Sequence, residues 1–295
     1  MRIAITGSSG LVGSALARSL RASGHDVLHL VRRPARTVSE VTWDPGGGYV
    51  DSGRLAGCTA VVHLAGASIG PARWTARYKR RIRDSRASGT RTIAAALAAM
   101  AEPPRLLSGS AVGFYGDTGN HAVTETADPG QGFLADVVVL WEGSTAPAAD
   151  AGIPVTLLRS GIVLAAEGGL LGTVLPLFKA GLGGRLGSGT QYISWVALAD
   201  EVGAIRFLLE HPEIDGPVNL TAPEPVTNAA YTAAIGTALG RPTPLPVPGF
   251  AMRAALGGFA DEAALVSQRA VPQRLLDAGY SFTAPDIGSA LSDIV

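Results

Sequence analysis

Cysteine is nearly absent: Cys58 is the single one in 295 residues, so no intrachain disulfide can form. That usage predicts a reducing compartment, the cytoplasm, with Cys58 as a packed small residue rather than a nucleophile. Lysine is almost as scarce, with Lys79 and Lys179 the only two against 22 arginines. Any proton relay that needs a lysine therefore has two places to find one. Net charge is zero, 24 basic side chains balancing 24 acidic ones, which gives no reason to expect nucleic acid or an anionic membrane as partner. No stretch of about 20 apolar residues free of charges or breakers is present, and the first strand begins at Arg2 with no apolar leader before it. The five histidines are scattered; only His25 and His29 lie near each other, on a strand or turn, so no metal site is expected.

What the sequence does have is apolar residues, 47% of the chain against 16% charged, enough for a sizeable core. The first two thirds alternate short β-branched runs with longer helical patterns, the signature of βαβ units. Strands are expected at Arg2–Thr6, Asp26–Val31, Ala60–Leu64, Arg105–Ser110 and Val155–Ser160, and helices at Leu11–Ala22, Trp74–Met100 and Gln131–Asp150. The third helix contains Pro147, where it should bend or end. This predicts an α/β fold, a Rossmann-type doubly wound parallel sheet. From Gly161 onward glycines cluster, suggesting loops around one short helix, followed by a helix at Leu198–Glu210, a strand at Val218–Thr221 and a helix at Asn228–Leu239. Pro242–Pro248, with four prolines in seven residues, reads as a rigid connector to a helical tail. The expected organisation is a cofactor domain over 1–240, whose smaller mixed α/β substrate region starts near 161, and a helical extension over 241–295. No internal repeat is visible.

The strongest motif is G-x-x-G-x-x-G at Gly7, Gly10 and Gly13, following a strand and opening a helix. Gly7 permits the tight turn, Gly10 lets the backbone approach a pyrophosphate, and Gly13 allows the helix to pack closely on the strand. Ser9, Leu11 and Val12 belong to the same loop, whose free N–H groups face the anion. The plain alternative is a glycine turn joining strand to helix. An NAD site usually ends its second strand with an acid for the ribose 2′-hydroxyl. Here the strand ends in Arg32-Arg33, and two guanidinium groups suit a 2′-phosphate, so NADP(H) is expected. Leu64, Ala65 and Gly66 end the next strand with small residues that let a cofactor pass close to the backbone, while His63 reads as a core histidine.

Taken together, these residues resemble the extended short-chain dehydrogenase/reductase superfamily, and more closely its atypical branch of SulA-like epimerase-family proteins. The segments that carry the resemblance are Arg73-Trp74-Thr75 with Ser85-Arg86, then Ser108 through Asp117, Trp141-Glu142, Arg159-Ser160-Gly161, Ser194-Trp195-Val196 and Gly216 through Thr221. The tail from Gln268 to Gly279 is similar to that branch's C-terminal extension. The resemblance covers essentially the whole chain. It implies a cofactor lying across the strand ends and a substrate held between it and the C-terminal part. Ser108 and Arg159 are further cofactor-binding candidates; Arg159, closing its strand, equally suits an anionic substrate or a pair with a carboxylate.

Members of the superfamily typically use a Ser or Thr and a Tyr-x-x-x-Lys pair. The resemblance places Ser110 at the Ser/Thr position. Counting back from Glu142 puts the tyrosine position on Leu134 and the lysine position on Val138, neither of which titrates. Tyr115, five residues after Ser110, is the remaining acid/base candidate, with Lys79 or Arg80 as its cation; the plain alternative is a packed loop aromatic. Glu142 either pairs within its helix or points into the site. Trp195 with Ser194 lines a pocket or belongs to the core, and Asp200 should serve the start of its own helix. Two functions stay open. One is an NADP(H)-dependent oxidoreductase or epimerase-like enzyme acting on a small polar substrate, nucleotide-sugar-like by resemblance. The other is a cofactor-binding regulatory or redox-sensing protein without turnover, which the missing Tyr-x-x-x-Lys relay favours; the resemblance adds that some relatives are linked to division of cells or plastids. The oligomeric state is open too, a homodimer included.

Overall fold

In the computed structural model, residues 1–70 and 74–295 are described; Arg73 of the segment quoted above lies outside them. Strand β1 (Arg2–Thr6) is buried along nearly its whole length, as a central parallel strand covered on both faces must be. It leads through the glycine loop into α1 (Leu11–Ala22), whose Gly13, Leu16, Ala17 and Leu20 face the sheet at helical spacing. Then come β2 (Asp26–Val31), β3 (Glu40–Asp44), β4 (Tyr49–Val50), β5 (Ala60–His63) and α2 (Ala76–Ala98). Next are β6 (Arg105–Ala111), α3 (Phe133–Gly143), α4 (Ala146–Asp150), β7 (Val155–Ser160), β8 (Ile162–Leu164) and α5 (Gly169–Lys179). The chain continues through β9 (Tyr192–Ile193), β10 (Trp195–Ala197), α6 (Leu198–Glu210), β11 (Gly216–Leu220), β12 (Val226–Thr227) and α7 (Asn228–Leu239). It closes with α8 (Gly249–Leu256), α9 (Gln273–Asp277) and α10 (Ile287–Ile294).

Eight strands form one sheet in the order β11-β7-β6-β5-β1-β2-β3-β4, parallel except for the β3–β4 hairpin. The chain runs outward from β1 in both directions, so the order reverses between β1 and β5. At that reversal the connections leave to opposite sides and open a crevice beyond the carboxyl ends of the strands. The sheet carries a core on each face. One packs Leu16 and Leu20 of α1 and Ile205 and Leu208 of α6 against Ile3, Ile5 and Leu107. The other packs Ile93 and Leu97 of α2 and Ala148 of α4 against Ala4, Val61 and Leu106. A third core, separate from the sheet, gathers Leu171 and Phe178 of α5, Trp195, Ile235 of α7 and Leu291 of α10. The last helix of the chain thus shares its core with elements that begin at residue 162. No described helix is long and apolar enough to cross a membrane.

Differences from the sequence expectations have local causes. The hairpin β3–β4 was not expected; its Glu40-Val41-Thr42-Trp43-Asp44 does alternate, with Val41 and Trp43 buried, but the run is short. The expected helix over Gln131–Asp150 is two helices, and Pro147 sits in the first turn of the second, where a missing N–H costs nothing. The helix expected from Trp74 starts at Ala76 because Thr75 caps it, its Oγ1 accepting from Tyr78 N at 3.1 Å.

Candidate functional site

The glycine loop has the geometry that a close approach requires. Gly7 has φ +67°, and a Cβ there would lie 2.8 Å from the Leu64 carbonyl carbon. A Cβ on Gly13 would collide with the Gly7 carbonyl oxygen, so the helix start can lie on the strand end only as glycine. No side chain caps α1 and its first turn holds no acid, so its leading N–H groups point into the crevice without an anion of their own. Ser9 and Gly10 are exposed, and Leu11 and Val12 half-buried behind them. From this loop a cleft of about 720 Å³ runs outward past Arg18, Glu167, Leu198 and Thr283.

The far wall is the end of β5, tied to β1 through one hydroxyl. Thr6 Oγ1 accepts from Leu64 N at 3.0 Å and Ala65 N at 3.2 Å, and lies 2.8 Å from His63 Nδ1. With both lone pairs used, the hydroxyl proton goes to Nδ1, which leaves the His63 hydrogen on Nε2. That ring is wholly buried, and burial holds its pKa down to about 4. His63 is a neutral core residue that braces the crevice. Gly66, exposed at the lip, lies against the Arg86 guanidinium of α2. Arg86 donates to Ala67 O at 3.0 Å and Ile82 O at 3.2 Å and stacks over Trp141 at 5.0 Å; burial lowers its pKa to about 10.

At the end of β2 the two arginines separate. Arg33 forks onto Glu40, with Nη1 2.8 Å from Oε2 and Nη2 2.6 Å from Oε1. The pair, with Arg36 N at 2.7 Å, draws the Glu40 pKa down to about 2. Arg32 is exposed and makes no ion pair among the described residues. Sequence reasoning found no acid here because Glu40 belongs to the unexpected strand β3, whose register sets it beside His29.

Ser110 and Tyr115 come together, but inward. Ser110 Oγ donates to Glu142 Oε1 at 2.5 Å, and Glu142 takes the Arg159 guanidinium at 2.8 and 2.9 Å. Arg159 Nη1 in turn donates to Tyr115 Oη at 3.0 Å, and Tyr115 donates to Asn219 Oδ1 at 2.7 Å. The cation beside Tyr115 is therefore Arg159, not the expected Lys79 or Arg80; Lys79 lies over the ring of Phe133 at 4.6 Å. Tyr115 is 4% exposed, and burial raises its pKa despite Arg159. Ser108 and Arg159 are also buried. Trp195 is core, its Nε1 donating to Glu224 O at 3.1 Å. Asp200, expected to serve its own helix, instead receives the tail: Thr283 N at 2.7 Å, Thr283 Oγ1 at 2.9 Å and Ala284 N at 2.9 Å. Asn219 was not singled out as a site residue, although it lies in the Gly216–Thr221 segment that carries the resemblance; a polar residue inside an apolar strand was the further signal. No group of three or more His, Cys, Asp or Glu residues fit to hold a metal occurs among the described residues.

The comparisons agree with this architecture. A family model described as the NAD dependent epimerase/dehydratase family matches residues 3–220, and one described as a domain of unknown function (DUF1731) matches residues 247–294. The chain is 48% identical to epimerase family protein ML0860 of Mycobacterium leprae over 290 residues, covering 98% of this chain and 94% of the relative. It is 33% identical to human epimerase family protein SDR39U1 over 301 residues, covering both chains fully. The crystal structure of the human protein with NADPH superposes with a TM-score of 0.91 at 31% identity, covering 100% of this chain and 99% of the other. With nearly three quarters of its length matched by that family model and nearly half of its residues identical to the mycobacterial relative, the chain belongs to the NAD-dependent epimerase/dehydratase family.

Proposed function

We propose that this protein binds NADP(H) across the carboxyl ends of β1, β2 and β5 and serves as an oxidoreductase or epimerase-like enzyme on a small polar substrate. One observation carries the cofactor half: Arg32 stands exposed at the end of β2 with no ion pair among the described residues, while the acid nearby is already neutralised by Arg33. A ribose 2′-hydroxyl would want a free carboxylate at this place, whereas a 2′-phosphate wants a free guanidinium. Gly7, Gly10 and Gly13 give the pyrophosphate its approach, and the uncapped start of α1 gives it N–H donors. The NADPH bound to the human relative supports the same reading. The bound nicotinamide would supply or accept a hydride. The substrate would then lie beside it, under the C-terminal segment that Asp200 and Ser194 hold, Ser194 Oγ donating to Gln268 O at 2.9 Å.

A second reading, NADP(H) binding without turnover, is favoured by the hydroxyls of Ser110 and Tyr115. Both are buried and fully engaged by Glu142, Arg159 and Asn219. Titration of the protein with NADPH and NADH, followed by cofactor fluorescence, tests what the two readings share. Preference for NADPH that collapses in Arg32→Ala supports it; equal affinity for the two cofactors overturns it. NADPH oxidation with a panel of small carbonyl compounds then separates enzyme from sensor.

A further inference from the structure

Ser160 closes β7 at the carboxyl edge of the sheet, in register with Ala111 of β6 on one side and Leu220 of β11 on the other. It is half-buried and is the last residue of its strand, at the sheet edge beyond which the crevice opens. Successive residues of a strand point to opposite faces. Arg159 turns toward α3 and is spent on Glu142, while Ser160 turns toward α6 and donates to Glu201 Oε1 at 2.6 Å. Glu201 is 1% exposed, and its Oε2 is buried with no hydrogen-bond partner. No cation pairs with it among the described residues. The groups that face it are the Ser160 hydroxyl from β7 and Tyr280 from the tail, itself held by its hydroxyl on Asp200 O at 3.1 Å. An acid so placed, with one hydroxyl as its outlet, is the opposite of Glu142, whose charge is neutralised by a bidentate guanidinium.

Resting on the cofactor reading above, we propose that Ser160, backed by the buried carboxyl group of Glu201, is the proton-transferring pair at the nicotinamide end of the crevice, moving from the α6 face of the sheet the proton that the absent Tyr-x-x-x-Lys pair would have moved from α3. When Glu201 carries a proton, the short contact reverses: the carboxyl O–H donates to Ser160 Oγ, and the serine proton is free for an acceptor in the crevice. In the reducing direction a hydride from the reduced cofactor forms the new C–H bond at a substrate carbonyl carbon. The C=O π pair moves to oxygen, Ser160 passes its proton there, and Glu201 passes its own to Ser160. An alcohol, the oxidised cofactor and a Glu201 carboxylate remain, and solvent reprotonates the carboxylate. The poise suits the task, because burial raises the Glu201 pKa to about 7, where both forms are populated.

The test reads the proton directly. The full-length protein, labelled with 13C at the Glu side-chain carboxyl, is titrated by NMR alone, with NADPH and with NADP+, cofactor binding being measured separately by fluorescence. One carboxyl should titrate near about 7 and vanish in Glu201→Gln, an isosteric variant expected to keep wild-type NADPH affinity. Its midpoint should be lower by about half a unit or more with NADP+ than with NADPH, because only the oxidised ring is cationic. Ser160→Ala should raise the midpoint, since the hydroxyl favours the carboxylate. A Glu201 that titrates in the ordinary carboxylate range, or a midpoint indifferent to the redox state of a bound cofactor, overturns the pair alone. Failure of both cofactors to bind overturns the cofactor reading and the pair with it.

Discussion

Arg33 is locked onto Glu40 by two hydrogen bonds, 2.8 and 2.6 Å, while its neighbour Arg32 projects into solvent from the same turn. Two residues that look equivalent in sequence are therefore unequal. Arg32→Ala should weaken NADPH binding by a factor of about 10 or more, the worth of one charge-assisted phosphate contact, and leave NADH unchanged. Arg33→Ala should cost less in NADPH affinity. Fluorescence titration of both variants with both cofactors checks the asymmetry; equal losses would contradict it.

Gly7→Ala should damage both stability and binding. The residue would have to hold φ +67° and place its Cβ 2.8 Å from the Leu64 carbonyl carbon. The backbone term alone is about 1–2 kcal/mol. Thermal unfolding should show the loss without ligand, and NADPH should restore less stability to the variant than to the wild type.

The buried pair Glu142–Arg159 predicts a sharp contrast between two substitutions. Arg159→Met leaves Glu142 and the Tyr115 hydroxyl without their cation and should cost about 3–5 kcal/mol. Tyr115→Phe removes one hydroxyl and leaves Asn219 Oδ1 short of a donor, at about 1–3 kcal/mol. Urea unfolding of each variant measures these. A Tyr115→Phe protein that also keeps its NADPH affinity would place that hydroxyl in the scaffold.

Two buried groups give stability opposite pH slopes. His63 has its pKa lowered from 6.5 to about 4, so the fold loses stability as pH falls through that window. Glu201 has its pKa raised from 4.5 to about 7, so the fold loses stability as pH rises through that window. The two effects oppose each other where the windows overlap. Glu201→Gln should remove the second slope, leaving a variant whose stability climbs with pH toward neutrality and exceeds wild type above about pH 7 by up to roughly 3 kcal/mol. Urea midpoints across this range decide it; parallel curves for the two proteins would refute it.

The tail is held by Asp200, which accepts from Thr283 and Ala284. Asp200→Ala should therefore speed amide hydrogen exchange over residues 280–294 while the central strand β1 keeps its protection. Uniform loosening of the whole chain would argue against a local hold.

What the sequence by itself determined is whatever the chain settles locally. The alternation of strand and helix patterns dictates the parallel sheet, and Gly7, Gly10 and Gly13 dictate a loop that an anion can approach. Each of those inferences needs only neighbours within a turn or two. Likewise the absence of a titratable residue at Leu134 and Val138 can be read by counting. Tertiary structure alone decided the rest, because a side chain's partner depends on which face of the sheet it meets. Strand parity sends Arg159 to Glu142 on α3 and Ser160, one residue on, to Glu201 on α6. It was the unexpected strand β3 that brought Glu40 to Arg33, and the returning tail that claimed Asp200. These contacts join residues up to 84 positions apart, and nothing in the local pattern of either partner specifies the other.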